Sequence, residues 1–134
     1  MAQRYLLDTN ILSDLIRNPR CAIAQKIEAR GEAAVCTSII VACELRYGAA
    51  KKGSPVLSAR VDELLEAIEV FPYEEDADRH YAAIRRGLTR DGNLIGPNDL
   101  LIAAHTLALD MTLVTANVSE FSRVPGLQVE NWIL

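Results

Sequence analysis

Residues 5–10 read Tyr5-Leu6-Leu7-Asp8-Thr9-Asn10, an apolar run that stops at a charged side chain. The run has the length and composition of a short buried β-strand, and Asp8 closes it. Residues 11–17 then place apolar side chains at helical spacing and stop at Asn18-Pro19, so a helix follows the strand directly. This unit predicts an α/β fold with Asp8 at the carboxyl end of the first strand, where open α/β sheets carry their sites.

The rest of the chain continues to alternate strands and helices. Further strands are predicted at residues 33–36, 70–71, 112–115 and 127–129. Further helices are predicted at residues 22–29, from the N-cap Ser38 to about residue 50, and at residues 56–68, 76–90 and 100–109. Because parallel strands need long crossover connections, this order predicts a central, mostly parallel, twisted sheet of about four to five strands with helices on both faces.

Composition limits the class of protein. The 134 residues are 50% hydrophobic and 24% charged, which predicts a single globular domain over residues 1–134. The net charge of −4 disfavours broad, nonspecific adhesion to nucleic acid, although it does not exclude an RNA substrate. We find no segment long and apolar enough to cross a membrane and no signal peptide, so a cytoplasmic protein is expected.

The three cysteines have no C-x-x-C spacing, which indicates neither a disulfide framework nor a zinc site. We expect buried, reduced thiols. Along residues 76–90, Arg85, Arg86 and Arg90 could face an RNA backbone, but a solvated helix face is the favoured interpretation.

Three acidic side chains are hard to explain as surface charge: Asp8, Glu44 and Asp99. Glu44 is predicted on a helix, and its neighbours three or four residues away are apolar or small, namely Ile40, Val41, Tyr47 and Gly48. A lone charge in such a stripe is costly unless it is paired or binds metal. Each acid also has an ordinary alternative, since Asp8 could be a turn residue, Asp99 could interact only with its helix dipole, and Glu44 could face solvent.

The three carboxylates are more informative together than singly. At a separation of about 4 Å, two carboxylates repel by roughly 4 kcal/mol at an effective dielectric constant near 20, so a proton or a cation must relieve a cluster of them. Oxygen ligands without a nearby histidine or cysteine set favour Mg²⁺ or Mn²⁺ over zinc. Thr115, Asn117 and Glu120, at the end of a late strand, could turn toward the same pocket, although each has an ordinary loop explanation. His80 and His105 are interpreted as structural.

Five segments that follow one another along nearly the whole chain resemble the PIN-domain nucleases, and more narrowly the VapC-type toxins. They are residues 7–10, 38–48, 96–105, 114–121 and 123–132. The resemblance implies a PIN-like three-layer fold and an endoribonuclease that depends on Mg²⁺, or alternatively Mn²⁺.

The resemblance also implies site residues and their roles. Asp8, Glu44 and Asp99 match the acidic core of the family, as catalytic and metal-binding residues. Asn117 stands where many PIN nucleases have a fourth acid, and this departure weakens the expectation of a second metal ion. Supporting roles are implied for Asn10, which orients the turn after the first strand, for Thr115, for Asn117, and for Glu120 as an outer ligand. No residue is implied for substrate binding.

Partners are implied by the same resemblance. A VapC-type toxin belongs to a type II toxin–antitoxin module, cleaves transfer RNA or another structured RNA, and so inhibits translation and growth. The expected partners are the RNA, a VapB-like antitoxin that forms a heteromeric complex with the toxin, and a second copy of the chain in a homodimer. No membrane partner is expected.

Three other classes of protein compete with this interpretation. A phosphatase of the haloacid-dehalogenase kind, with Asp8 as nucleophile, needs a second acid two residues later, where this chain has Asn10. A phosphorylation receiver domain needs an acidic pair by the first strand. A noncatalytic interaction module is disfavoured by the intact Asp8, Glu44 and Asp99.

Overall fold

The computed structural model describes residues 3–74 and 76–133, so both ends of the predicted 1–134 domain lie outside the described residues. Its strands are β1 Tyr5–Leu7, β2 Val35–Ser38, β3 Glu69–Phe71, β4 Thr112–Val114 and β5 Val129–Glu130. They form one sheet in the order β3-β2-β1-β4-β5, and every neighbouring pair is parallel. The predicted mostly parallel α/β sheet is therefore confirmed.

Helices flank this sheet. They are α1 Thr9–Arg17, α2 Ala22–Arg30, α3 Ile39–Lys52, α4 Pro55–Ala67, α5 Ala77–Arg90, α6 Pro97–Ala108 and the single turn α7 Val118–Phe121. A short 3₁₀ turn, Glu32–Ala34, precedes β2. Each predicted helix and strand is present, with ends that differ by a few residues.

Local chemistry sets the limits of α3 and α4. The Ser38 side chain accepts a hydrogen bond from the backbone N–H of Ile40 at 3.0 Å and so caps α3. Gly53 ends α3 in the left-handed conformation, with a φ of 64° that a residue without a Cβ adopts at no steric cost. Ser54 then caps α4 by accepting from the N–H of Leu57. The helix pair therefore turns where the sequence predicts a break.

The core lies around the three central strands. All the residues of β2, β1 and β4 are buried, whereas β3 and β5 at the sheet edges are mostly half-buried. The helices add apolar side chains to this core, including Ile11 and Leu12 of α1, both fully buried. Burial on this scale is the main source of stability for the fold.

The strand order creates a switch point between β1 and β4. The chain moves from β1 to β2 and β3 on one side, and then crosses to β4 on the other side of β1. In open α/β sheets the crevice at the carboxyl ends of two such strands is the usual ligand site. Asp8 follows β1 and Thr115 follows β4, so these two residues lie at that position.

Two expectations about burial are wrong. Cys43 is exposed and Cys21 is half-buried, so only Cys36 fits the prediction of a buried thiol. Tyr47 is 68% exposed, so the apolar stripe beside Glu44 is narrower than its helical spacing indicated. Cys43 and Tyr47 are exposed because α3 packs on one side only, where Val41, Leu45 and their buried neighbours face the core. Within the described part of the chain, no helix is long and apolar enough to cross a membrane.

Candidate active site

Asp8 is a charged group at a buried position, with 4% of its surface exposed. Its backbone N–H donates to the carbonyl of Val114 at 2.9 Å, which fixes it beside the end of β4. Its carboxylate accepts hydrogen bonds from the N–H of Thr9 and the hydroxyl of Thr115, both at 2.8 Å. Burial nevertheless raises the pKa of Asp8, because desolvation outweighs these two donors, and the charges of Glu44 and Glu120 raise it further.

Asn10 and Thr115 connect the ends of β1 and β4. The Asn10 amide nitrogen lies 3.5 Å from an oxygen of Asp8 and 3.4 Å from the Thr115 hydroxyl, while its oxygen accepts from the N–H of Ala116. The Thr115 hydroxyl also accepts from the N–H of Asn117 at 3.0 Å. These contacts place both side chains beside the Asp8 carboxylate.

Glu44 reaches the site from α3. The hydroxyl of Thr9 donates to one carboxylate oxygen at 2.5 Å, and the amide of Asn98 donates to the other at 3.3 Å. Glu44 is thus held between the first turns of α1 and α6. Glu44 is half-buried, so it lies between the apolar core and the solvent.

Asp99 and Glu120 form a pair of hydrogen-bonded carboxyl groups. Burial, then the Glu120 contact and the charges of Asp8 and Glu44, raise the pKa of Asp99 to about 7. The pKa of Glu120 is lowered, first because the N–H of Gly96 donates to it at 2.9 Å and then because Asn117 and Asp99 also donate. Of the two carboxyl groups, Asp99 therefore keeps its proton to the higher pH.

The structure brings all the predicted site residues to one edge of the sheet, but it does not assemble them as a preformed metal cage. Among residues 3–74 and 76–133, no three acidic, histidine or cysteine side chains are grouped closely enough to hold a metal ion as they stand. Glu44 is engaged by Thr9 and Asn98, and Asp99 by Glu120.

The donor set nevertheless fits a hard divalent cation. Mg²⁺ usually keeps several waters and binds proteins through only one or two carboxylates, so a closed cage is not required. Asp8 and Asp99 both have raised pKa values caused in part by neighbouring carboxylates, which is the repulsion that a cation would relieve. Asn117 donates to Glu120 and adds no charge to the set.

Sequence reasoning missed the residues that hold the acids in place. Thr9 and Asn98 are each adjacent to a predicted acid, yet their contacts to Glu44 span 35 and 54 residues of sequence. The N–H of Gly96 was also missed, because its contact with Glu120 spans 24 residues and depends on α7, which the sequence does not predict.

Other predicted features lie outside this cluster. The expected structural role of His105 agrees with its burial and with the 2.7 Å contact between its Nδ1 and the Ser38 hydroxyl. The arginines of α5 are exposed, as the favoured interpretation holds: Arg85 donates to Tyr81, and Arg90 donates to Asp91.

Comparison with known proteins identifies the family. The model of the PIN domain matches residues 5–127. Ribonuclease VapC2 from Haemophilus influenzae is 34% identical over 131 residues, which cover 97% of this chain and 98% of that protein. The tRNA(fMet)-specific endonuclease VapC from Shigella flexneri is 35% identical over 130 residues, covering 96% and 98%.

The likeness extends to solved structures. The crystal structure of VapBC2 from Rickettsia felis, bound to a DNA fragment from its promoter, contains a chain that superposes with a TM-score of 0.90 at 34% identity. The match covers 97% of this chain and 99% of that one. The resemblance found in the sequence is confirmed, and the chain belongs to the PIN-domain family and, within it, to the VapC ribonucleases.

Proposed function

We propose that this chain is a Mg²⁺-dependent endoribonuclease, with Mn²⁺ as an alternative metal, and the toxin of a type II toxin–antitoxin module. One observation carries the proposal: Asp8, Glu44 and Asp99 reach the switch point of a parallel sheet from three separate elements, and two of them have raised pKa values. PIN-domain ribonucleases generally depend on a divalent metal, which agrees with this donor set. We further propose that residues 1–134 form a single domain that acts in the cytoplasm.

Asp8 and Asp99 are the residues that would hold the metal, directly or through water, with Glu44 completing the acidic set or orienting a water. A bound Mg²⁺ would supply an activated water and neutralise charge on the nonbridging oxygens of the scissile phosphate. Thr115 and the N–H of Thr9 keep the Asp8 carboxylate in one orientation. Glu120 accepts a hydrogen bond from the Asp99 carboxyl group, and this contact favours the protonated form of Asp99.

The proposed substrate is transfer RNA or another structured RNA, whose cleavage stops translation and growth. The relative from Shigella flexneri is named for its action on tRNA(fMet), which makes transfer RNA the first substrate class to test. The proposed partners are a VapB-like antitoxin, which neutralises the enzyme in a heteromeric complex, and a second copy of this chain. Solved VapBC structures from Rickettsia felis and Salmonella typhimurium, each with a chain similar to this one, support the antitoxin.

The test is cleavage of a total transfer-RNA pool by purified, antitoxin-free protein. Discrete fragments are expected with Mg²⁺ or Mn²⁺. No fragments are expected when EDTA is present or when the Asp8→Asn variant replaces the wild type. A folded wild-type protein that binds Mn²⁺ but leaves transfer and ribosomal RNA intact would overturn the ribonuclease proposal. It would favour a DNA substrate or a noncatalytic module.

A further inference from the structure

Both carboxylate oxygens of Glu44 are held by uncharged groups. The Thr9 hydroxyl donates to Oε1, and the Asn98 amide donates to Oε2. We call these three side chains the Glu44 clamp. Across residues 3–74 and 76–133, no lysine or arginine forms a salt bridge with Glu44. The orientation of the carboxylate therefore comes from neutral donors.

The Glu44 clamp connects α3, which carries Glu44, to the first turns of α1 and α6. Thr9 is the first residue of α1 and follows Asp8, while Asn98 lies in the first turn of α6 and precedes Asp99. The backbone N–H of Thr9 also donates to Asp8 at 2.8 Å. Thr9 thus contacts two of the three acids, and Asn98 connects Glu44 to the helix that carries the third.

Neutral donors have a consequence that a cationic partner would not have. A lysine or arginine beside Glu44 would orient the carboxylate but neutralise its charge, which lowers the attraction of the site for a metal ion. A hydroxyl and an amide fix both oxygens and leave the negative charge in place. Preorganised polar groups of this kind need no rearrangement when the reaction begins.

We propose that Thr9 and Asn98 are positioning residues for RNA cleavage, which hold the Glu44 carboxylate in its working orientation before metal and RNA arrive. The inference rests on the proposed ribonuclease function. Thr9 acts from a half-buried position, whereas Asn98 is exposed at the mouth of the site. Substitution of Asn98 therefore leaves the core of the protein unchanged.

The first experiment replaces Thr9 by valine, which has the same shape but no hydroxyl. Thr9→Val is expected to lower kcat and Mn²⁺ affinity by about 10- to 100-fold, the usual effect of removing a partner that orients a metal ligand. The KM for RNA should stay nearly constant. Thr9→Ser restores the hydroxyl and should recover most of both losses. The exposed Thr89 of α5 takes the same valine substitution as a control.

The second experiment tests whether the two residues act through Glu44. Calorimetry with Mn²⁺ alone measures affinity in wild type, Thr9→Val, Asn98→Ala, Glu44→Ala and the two double variants. In the Glu44→Ala background, the Thr9 and Asn98 substitutions should cause no further loss, because the group that they orient is absent.

The outcomes separate the two proposals. A folded Thr9→Val or Asn98→Ala variant with Mn²⁺ affinity and kcat within twofold of wild type overturns the clamp. So does a full additional loss in the Glu44→Ala background. If wild type itself cuts no RNA, the proposed function fails, and the Mn²⁺ cycle still decides whether the clamp orients Glu44. If Thr9→Val does not fold, the exposed Asn98→Ala variant provides the same test.

Discussion

Asp99 illustrates the energetic conflict at this site on the scale of a single residue. Its carboxyl group is half-buried beside Glu120, and burial together with the other acids raises its pKa to about 7. In the unfolded chain its pKa is near 3.8, so the folded protein retains a proton that the unfolded chain releases between about pH 4 and pH 7. The contribution of Asp99 to stability is thus present below about pH 4 and is lost as the pH rises through 7.

Asp99→Asn is therefore expected to stabilise the metal-free protein at pH 8 while abolishing metal-dependent cleavage. Asparagine has the same shape, donates to Glu120 and carries no charge. Allowing for solvent screening of a half-buried group, the gain is about 1 to 2 kcal/mol, or roughly 4 to 8 °C in Tm. Thermal unfolding in EDTA at pH 8 and pH 4 measures it, and the difference should vanish at pH 4.

The matched control is Asp62→Asn, because Asp62 is in an exposed ion pair with Arg46. A surface pair of this kind contributes about 0 to 1 kcal/mol, so this substitution should have no effect or lower the Tm slightly. Wild type and Asp99→Asn share every other titrating group, and their difference isolates Asp99. A lower Tm for Asp99→Asn at pH 8 without metal would show that the ionised Asp99 carboxylate does not destabilise the metal-free fold.

On the scale of elements, Ser38 couples the helix that carries Glu44 to the helix that carries Asp99. Its side chain caps α3 and contacts His105 of α6 at 2.7 Å. Burial lowers the pKa of His105, so its imidazole is neutral near pH 7 and needs a hydrogen-bond partner. One buried hydroxyl therefore serves a helix end and a buried ring together.

Ser38→Ala is expected to destabilise the protein by about 2 to 3 kcal/mol, from the lost cap and the unpaired imidazole nitrogen. Ser54→Ala removes an equivalent cap from α4, where the hydroxyl has no second partner among the described residues, and should cost about 1 kcal/mol. Urea unfolding of the two variants measures both costs. Equal costs would mean that the contact with His105 adds nothing to stability.

The elements also show what sequence could predict. The helices were recognisable because apolar spacing repeats over two or more turns, and caps such as Ser38 mark their starts. The four residues of α7 are too few for a helical period to show, so the sequence predicts no helix at Glu120. Contacts such as Thr9 to Glu44 depend on how elements pack, which local periodicity does not encode.

On the scale of the whole molecule, the candidate active site lies at one end of β1, and an aromatic cluster that packs Trp132 against Tyr5 lies at the other end. Trp132 is buried, its ring centroid lies 5.1 Å from that of Tyr5, and its Nε1 donates to Glu130. The Arg30 guanidinium carbon lies 5.2 Å from the centroid of the Tyr5 ring and 4.9 Å from the centroid of the Trp132 ring. Tyr5 begins β1 and Asp8 follows its end, so about 10 Å of strand separates this cluster from the site.

Trp132→Ala is expected to cost about 3 to 5 kcal/mol, because it leaves a large cavity and removes the stacking on Arg30. Trp132→Phe fills most of that volume and should cost much less. Urea unfolding measures the two costs, and calorimetry should find wild-type Mn²⁺ affinity in Trp132→Phe. A lower affinity in that variant would show that the two ends of β1 are energetically coupled.

Metal binding should link the stability of the whole molecule to pH. A ligand that binds only the folded state raises the free energy of unfolding, by about 2.7 kcal/mol at a concentration of 100 Kd. Because the pKa of Asp99 is about 7, that carboxyl must lose a proton before it can bind a cation in the acidic range. At pH 6 the affinity for Mn²⁺ should therefore be about tenfold lower than at pH 8, equivalent to about 1.4 kcal/mol.

Thermal unfolding with a fixed Mn²⁺ concentration, at pH 6 and pH 8 and with EDTA as the reference, measures this linkage. Mn²⁺ should raise the Tm at both pH values and more at pH 8, whereas Asp99→Asn should lose most of the rise and its dependence on pH. An equal rise at both pH values in wild type would mean that the cation binds without displacing the Asp99 proton. The metal would then be held by Asp8 and Glu44 alone, and Asp99 would contribute to cleavage as an acid, not as a ligand.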